Sequence, residues 1–272
     1  MKTLLKATTV LFILCIGWLS YEKAPVFRYI FARSDSWQQA MEMIYFKVID
    51  KSNTYELLRR AYDTFQVPRQ GIIHIGARYA EELKYYQHFG IPNVLWVEAD
   101  PEAEQRLRKL VEKHPGSQVA MFAASNYNGS ITLHQTTNAG ASSSVLPLKE
   151  HLKYHPTVQE QKTIEVVAKK MDDYLSSEQQ NRYNMVVIDI QGAELLALKG
   201  AIETLKSVDA IIAETNYDEL YEGGVFVADL DAFLQEQGFT RVDAISTAFF
   251  SGDALYVKNA LFKKQMISSG KA

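Results

Sequence analysis

The chain has a single cysteine, Cys15, among its 272 residues. That excludes an intrachain disulfide and any structural zinc site built on several thiolates. Glycine (14) and proline (7) are too scarce for a collagenous or low-complexity chain. An excess of positive charge is also missing, since 29 Lys and Arg against 32 Asp and Glu leave a formal charge of −3. A general binder of nucleic-acid backbones is expected to be basic, so nucleic acid is not an expected partner. Along the chain no His, Asp and Glu cluster has metal-ligand spacing, so no metal is expected either. What remains is the 47% hydrophobic, 22% charged balance of a globular chain long enough for one large domain and an appendage.

No apolar run reaches the ~20 residues that span a bilayer core. The nearest is the stretch from Ala7 to Leu19, preceded by Lys2 and Lys6, with Trp18 near its end and Tyr21 just beyond at interfacial positions. Residues 1–21 therefore read as an N-terminal membrane anchor or signal-like segment. Membrane association through that one segment is expected, and Lys23, Arg28 and Arg33 beyond it leave the orientation open. Residues 22–66, mixed aromatic and charged, read as a helical lead-in. Residues 67–272 read as the main domain. No coiled-coil repeat marks an oligomer.

From Gly71 the pattern alternates between short apolar runs and helical periodicity. Strands are expected at Gly71–Gly76, Asn93–Glu98, Gln118–Ala123, Met185–Ile190 and Ala210–Glu214. Helices are expected over Tyr79–Phe89, stopped by Gly90, and after Asp100-Pro101, a cap followed by proline at the first helical position. Ala103, Leu107, Leu110 and Val111 form the apolar stripe of the latter. Asn128-Gly129 signals a hairpin turn into Ser130–His134. Residues 135–163 are polar and break the alternation, long enough to form a lid over a substrate. A helix over Phe226–Gln237 precedes two strands, Thr240–Ala244 and Ala254–Lys258, with Gly252-Asp253 as their turn region. Strands separated by helices pair in parallel, and the last two, lacking a helix between them, require one antiparallel member. The fold class is α/β, a doubly wound, mostly parallel sheet with an antiparallel strand near one edge.

Ligands of such sheets bind beyond the carboxyl ends of the strands, where strand order reverses. The first strand end has one glycine, Gly76, with Ala77 and Ala80 where a dinucleotide fingerprint has further glycines, which disfavours a pyrophosphate. Glu98 ends the next strand 22 residues later and can accept hydrogen bonds from ribose hydroxyls. Ala124 and Ser125, after the third strand, leave room for a flat base and offer it a hydroxyl. Asp189 closes an apolar strand, where a carboxylate is costly unless paired or facing water, so it is expected to face a cationic ligand group.

His74-Ile75-Gly76-Ala77, Val94 through Pro101, and Ile188-Asp189-Ile190-Gln191-Gly192-Ala193-Glu194-Leu195 with Leu198-Lys199-Gly200-Ala201 together resemble the FkbM family of methyltransferases. The resemblance covers about residues 68 to 260. It implies a Rossmann-like class I methyltransferase domain, S-adenosyl-L-methionine as cofactor, and O-methylation of a glycan or small-metabolite hydroxyl. The cofactor-binding residues it implies are His74, Gly76, Ala77, Glu98, Ala99, Ala124, Ser125, Asp189 and Gln191. For the base that removes the acceptor's proton, Glu194 and Glu214 are preferred over His134, His151 and His155. Three positions depart from the family pattern: His74 stands where many members have aspartate, Ala80 replaces a second glycine, and Gln191 replaces a glutamate. Two competing readings are a non-catalytic binding protein on the same fold and a membrane-anchored glycosyltransferase, the latter suggested by Asp229-Leu230-Asp231.

Overall fold

The computed structural model describes residues 52–246 and 250–270. The anchor-like segment 1–21 and most of the lead-in lie outside the described residues. Among the described residues no helix is long and apolar enough to cross a membrane.

Among the described residues the first helix, α1 (Asn53–Asp63), precedes the first strand, β1 (Ile72–Ile75). Then come α2 (Leu83–His88), β2 (Val94–Glu98), α3 (Pro101–Val111), β3 (Ser117–Met121), β4 (Ala123–Ala124) and β5 (Gly129–Thr136). After α4 (His151–Tyr154) and β6 (Glu160–Lys169), two short helices, α5 (Met171–Tyr174) and α6 (Ser177–Gln180), lead to β7 (Met185–Ile188). The chain continues through α7 (Glu194–Lys199), α8 (Ile202–Leu205), β8 (Ala210–Asn216), α9 (Val227–Glu236), β9 (Phe239–Ser246), β10 (Ser251–Lys258) and α10 (Asn259–Ser268).

The main sheet has seven strands in the order β3-β2-β1-β7-β8-β10-β9. β1 pairs in parallel with both β2 and β7, and β7 with β8. Every residue of β1, β2 and β7 is buried, as continuous apolar runs in a sheet covered on both faces should be. The antiparallel member is β10, inserted between β8 and the edge strand β9. Strand order reverses between β1 and β7, and the strand ends there form the crevice of a doubly wound sheet.

Several boundaries differ from expectation. α2 starts only at Leu83 because Arg78 (φ 40°) and Ala80 (φ 51°) adopt left-handed backbone and hold the chain in a turn. On α3, Ala103, Leu107 and Val111 face the core, Leu110 is 51% exposed, and Glu104 is buried with its carboxylate on Arg108. Asn128-Gly129 is not a hairpin turn. β4, β6 and β5 form a separate sheet in that order, so the segments flanking Asn128 are both neighbours of β6 rather than of each other. The Asn128 side chain instead bonds Asp173 and the Lys170 amide. Gly252 and Asp253 lie within β10, paired with β8, and do not form the turn.

Candidate active site

A cleft with about 790 Å³ of empty space, part of it open to solvent, lies over the ends of β1, β2, β4 and β7. Gly76, Glu98, Ala99, Ala124, Asp189 and Gln191, six of the residues singled out in the sequence, line it. The segment Ala139–Val145, from the polar stretch expected to form a lid, contributes the cover. It is pinned at Ser144, whose Oγ donates to the Gln191 carbonyl (2.8 Å) and whose backbone pairs with His134 on β5.

Gly76 has φ 86°, and a Cβ there would overlap the carbonyl oxygen of Asp189. The glycine thus does two things. It takes a left-handed turn, and it lets the end of β1 lie against the end of β7.

The Glu98 carboxylate is 8% exposed and is held by backbone amides. Oε2 accepts from Arg78 N (2.6 Å), and Oε1 from Ala99 N (2.8 Å) and Asp100 N (2.7 Å). Burial pushes its pKa up, and the three amides oppose that. With two acceptor positions per oxygen, Oε1 is saturated and Oε2 keeps one. Glu98 can therefore take one ribose hydroxyl while also fastening the β1 turn to β2, where the sequence suggested both hydroxyls of a diol. Asp100 caps α3 through Oδ1 and accepts Gln135 Nε2 on Oδ2 (2.6 Å).

Three expected cofactor residues do not line the cleft. Strand alternation points the His74 ring away from Ile73 and Ile75, into a buried cluster where it stacks on Trp96 (centroids 5.1 Å apart) and bonds Tyr86 (2.8 Å). Burial lowers its pKa to about 3, so it is neutral. Ala77 is buried, with its amide spent on the Val97 carbonyl (3.1 Å). Ser125 is fully buried, and its carbonyl lies where a Cβ on Gly200 would overlap it.

Neither expected base lines the cleft. Glu194 is wholly buried, and its Oε1 accepts the amides of Ile190 (2.9 Å) and Gly192 (3.2 Å). It braces the loop after β7, in which Gln191 (φ 58°) and Gly192 (φ 94°) are left-handed. Burial pushes its pKa up to about 7. Glu214 stands one step behind Asp189, and Gln191 links the two. Burial and then the Asp189 charge push its pKa well up. Asp189 is the one of these three carboxylates that opens on the cleft. Gln191 joins the set, since Nε2 donates to Asp189 Oδ1 (2.6 Å) and Glu214 Oε2 (2.9 Å). Its orientation is fixed by Tyr221, whose hydroxyl donates to Gln191 Oε1 (2.6 Å).

The candidate histidines are engaged elsewhere. His134 bonds Glu160, His151 bonds Ser142 Oγ, and His155 packs on His151 and Phe250. Asp229 and Asp231 lie on α9, where Asp231 bonds Tyr256 and Arg241, far from the form of a strand-end metal pair. Sequence reasoning missed Tyr221 and Ser144. Tyr221 carries no signal, because its role depends on the loop after β8 returning to Gln191. Ser144 belongs to the serine run of the polar stretch, but only its contact with the β7 loop marks it out.

The cleft suits a nucleoside carrying a cationic centre. Ala99 and Ala124 are small and leave room for a flat base, Glu98 keeps one acceptor, and Asp189 offers a carboxylate across the rim.

The family model described as "Methyltransferase FkbM domain" matches residues 74–241. The 2-O-methyltransferase NoeI of Sinorhizobium fredii is 30% identical over 132 residues, 46% of this chain and 54% of that protein, so the match spans about half the length of that relative. Among solved structures, a putative RNA methyltransferase from Pyrococcus horikoshii aligns with TM-score 0.44 and 13% identity, over 76% of this chain and 83% of that one. A putative tRNA (m1A22) methyltransferase from Streptococcus pneumoniae aligns with TM-score 0.44 and 16% identity, over 76% and 70%. The match over residues 74–241 takes in both strand ends and the whole Asp189 loop, and the chain belongs to the FkbM family of methyltransferases, with S-adenosylmethionine as its cofactor.

Proposed function

We propose that the chain methylates a hydroxyl oxygen of a sugar-like or other small acceptor, with Asp189 as the group that takes the acceptor's proton. S-adenosylmethionine supplies an electrophilic methyl on a sulfonium, and the C–S bonding pair returns to sulfur as the O–C bond forms. An alcohol is a weak nucleophile until its proton leaves, so a base within reach is needed. The observation that carries the reading is the placement of Asp189, at the rim of the cleft and tied by Gln191 to a second carboxylate. Burial raises the Asp189 pKa, which makes it a better proton acceptor than an ordinary aspartate. The NoeI relative, named a 2-O-methyltransferase, supports oxygen as the acceptor atom.

The test is transfer from isotopically labelled S-adenosylmethionine to a panel of saccharides, amines and thiols. Labelled methyl ethers are expected. Products confined to nitrogen or sulfur would contradict the reading. Asp189→Asn is expected to lower kcat by roughly 10²–10⁴-fold, while S-adenosylhomocysteine, which lacks the sulfonium charge, still binds.

A further inference from the structure

We propose that Asp189, Glu194 and Glu214 together hold a hard divalent cation, of the magnesium or calcium type, reached from the cleft through Asp189. Their carboxylate oxygens lie within 4.8 Å of one another. Two oxygens on one ion can be no farther apart than twice the bond length, about 4.2 Å for magnesium and about 5.2 Å for calcium. A separation bounded at 4.8 Å lies inside the limit for calcium, so the three oxygens can meet on one ion of that class.

The pattern of hydrogen bonds adds an independent observation. Each carboxylate has one oxygen claimed by N–H donors: Asp189 Oδ1 and Glu214 Oε2 by Gln191, and Glu194 Oε1 by two backbone amides. The second oxygen of Glu194 is fully buried with no partner at all. Leaving a buried carboxylate oxygen unsatisfied is costly, and a metal ion removes that cost. Among the described residues no lysine or arginine forms an ion pair with any of the three, and the nearby Arg78 is paired with Glu81 (2.8 Å). Gln191, itself held by Tyr221, plays the part of an outer partner that orients two ligands. Asp189 opens on the cleft and gives the ion a way in.

The proposal deepens the reading above and rests on it in one respect: an ion on Asp189 would also meet the acceptor oxygen and acidify its hydroxyl. The experiment is a titration of the full chain with Mn²⁺, following loss of the free-ion signal by electron paramagnetic resonance. Binding of S-adenosylhomocysteine is measured on the same sample. One Mn²⁺ per chain is expected, displaced by Ca²⁺ and weakened about tenfold or more in Glu214→Gln. A folded sample that binds S-adenosylhomocysteine yet takes up no Mn²⁺ at millimolar concentration overturns the proposal and leaves a shared proton as the bond between Asp189 and Glu214. Uptake unchanged in both Glu214→Gln and Asp189→Asn overturns it as well. Uptake of Mn²⁺ without S-adenosylhomocysteine binding supports the ion site and contradicts the cofactor reading instead. If a variant fails to fold, the wild-type titration with Ca²⁺ competition decides alone.

Discussion

At the scale of single residues, two of the three departures from the family pattern, Ala80 and Gln191, both sit on left-handed backbone but differ in what their side chains do. Ala80 occupies a turn where the family resemblance places glycine, and its φ of 51° is the conformation that glycine adopts without penalty. The side chain is nearly buried and the strain is local. Ala80→Gly is therefore expected to stabilise the fold by about 0.5–1 kcal/mol, after the extra chain entropy of glycine is offset. Thermal unfolding checks this, and a lowered midpoint would show that the methyl's packing outweighs the strain. Gln191, the other departure, has a clearer use. A glutamate at that position would lose the amide that bonds Asp189 and Glu214 and would add a further negative charge beside them. Neither effect is visible in sequence, where Gln191 reads as the removal of a charge and not as the gain of a bridge.

At the scale of elements, the parts that could be read in advance are those whose physics is local. Asp100-Pro101 opens α3 with the capping bond drawn from Glu102, Gly90 and Gly238 take positive φ at helix ends, and the buried runs of β1, β2 and β7 are the expected apolar strands. What could not be read is nonlocal. The β4-β6-β5 sheet joins segments whose pairing is set by the fold, so an Asn-Gly pair between two of them looked like a hairpin. The direction of the His74 ring also depends on β1 being covered on both faces, since the same strand has a cleft only at its end. Buried His74 and half-buried Glu82 link β1 to the start of α2, with Nε2 and Oε2 3.9 Å apart. Burial, helped by the charges of Glu81 and Asp189, pushes the Glu82 carboxyl from 4.5 up to about 7. The folded state thus binds a proton that the unfolded chain releases near 4.5. Stability from this group is full below that pH and is lost as pH rises through about 7. Glu82→Gln is expected to flatten the fall in unfolding midpoint across this window. An equally steep fall in the variant would mean that Glu82 is ionised throughout.

At the scale of the whole molecule, the site is where three parts meet. The strand-order switch between β1 and β7 makes the crevice, Glu98 ties its two walls together through backbone amides, and the lid is joined to the β7 loop through Ser144. The topology and the strand-end acids were legible because each belongs to one segment with its own signature. The choice among Asp189, Glu194 and Glu214 could not be read in advance, because the three are equally acidic in sequence and only burial and access to the cleft separate them. The account as a whole turns on this crevice being the seat of the nucleoside. Hydrogen–deuterium exchange of the full chain, with and without S-adenosylhomocysteine, tests that most directly. The expected result is slower exchange at residues 98–100, where the amides hold Glu98, and across the cover at 139–145. Unchanged exchange in both segments, with the ligand bound and protection elsewhere, would contradict it.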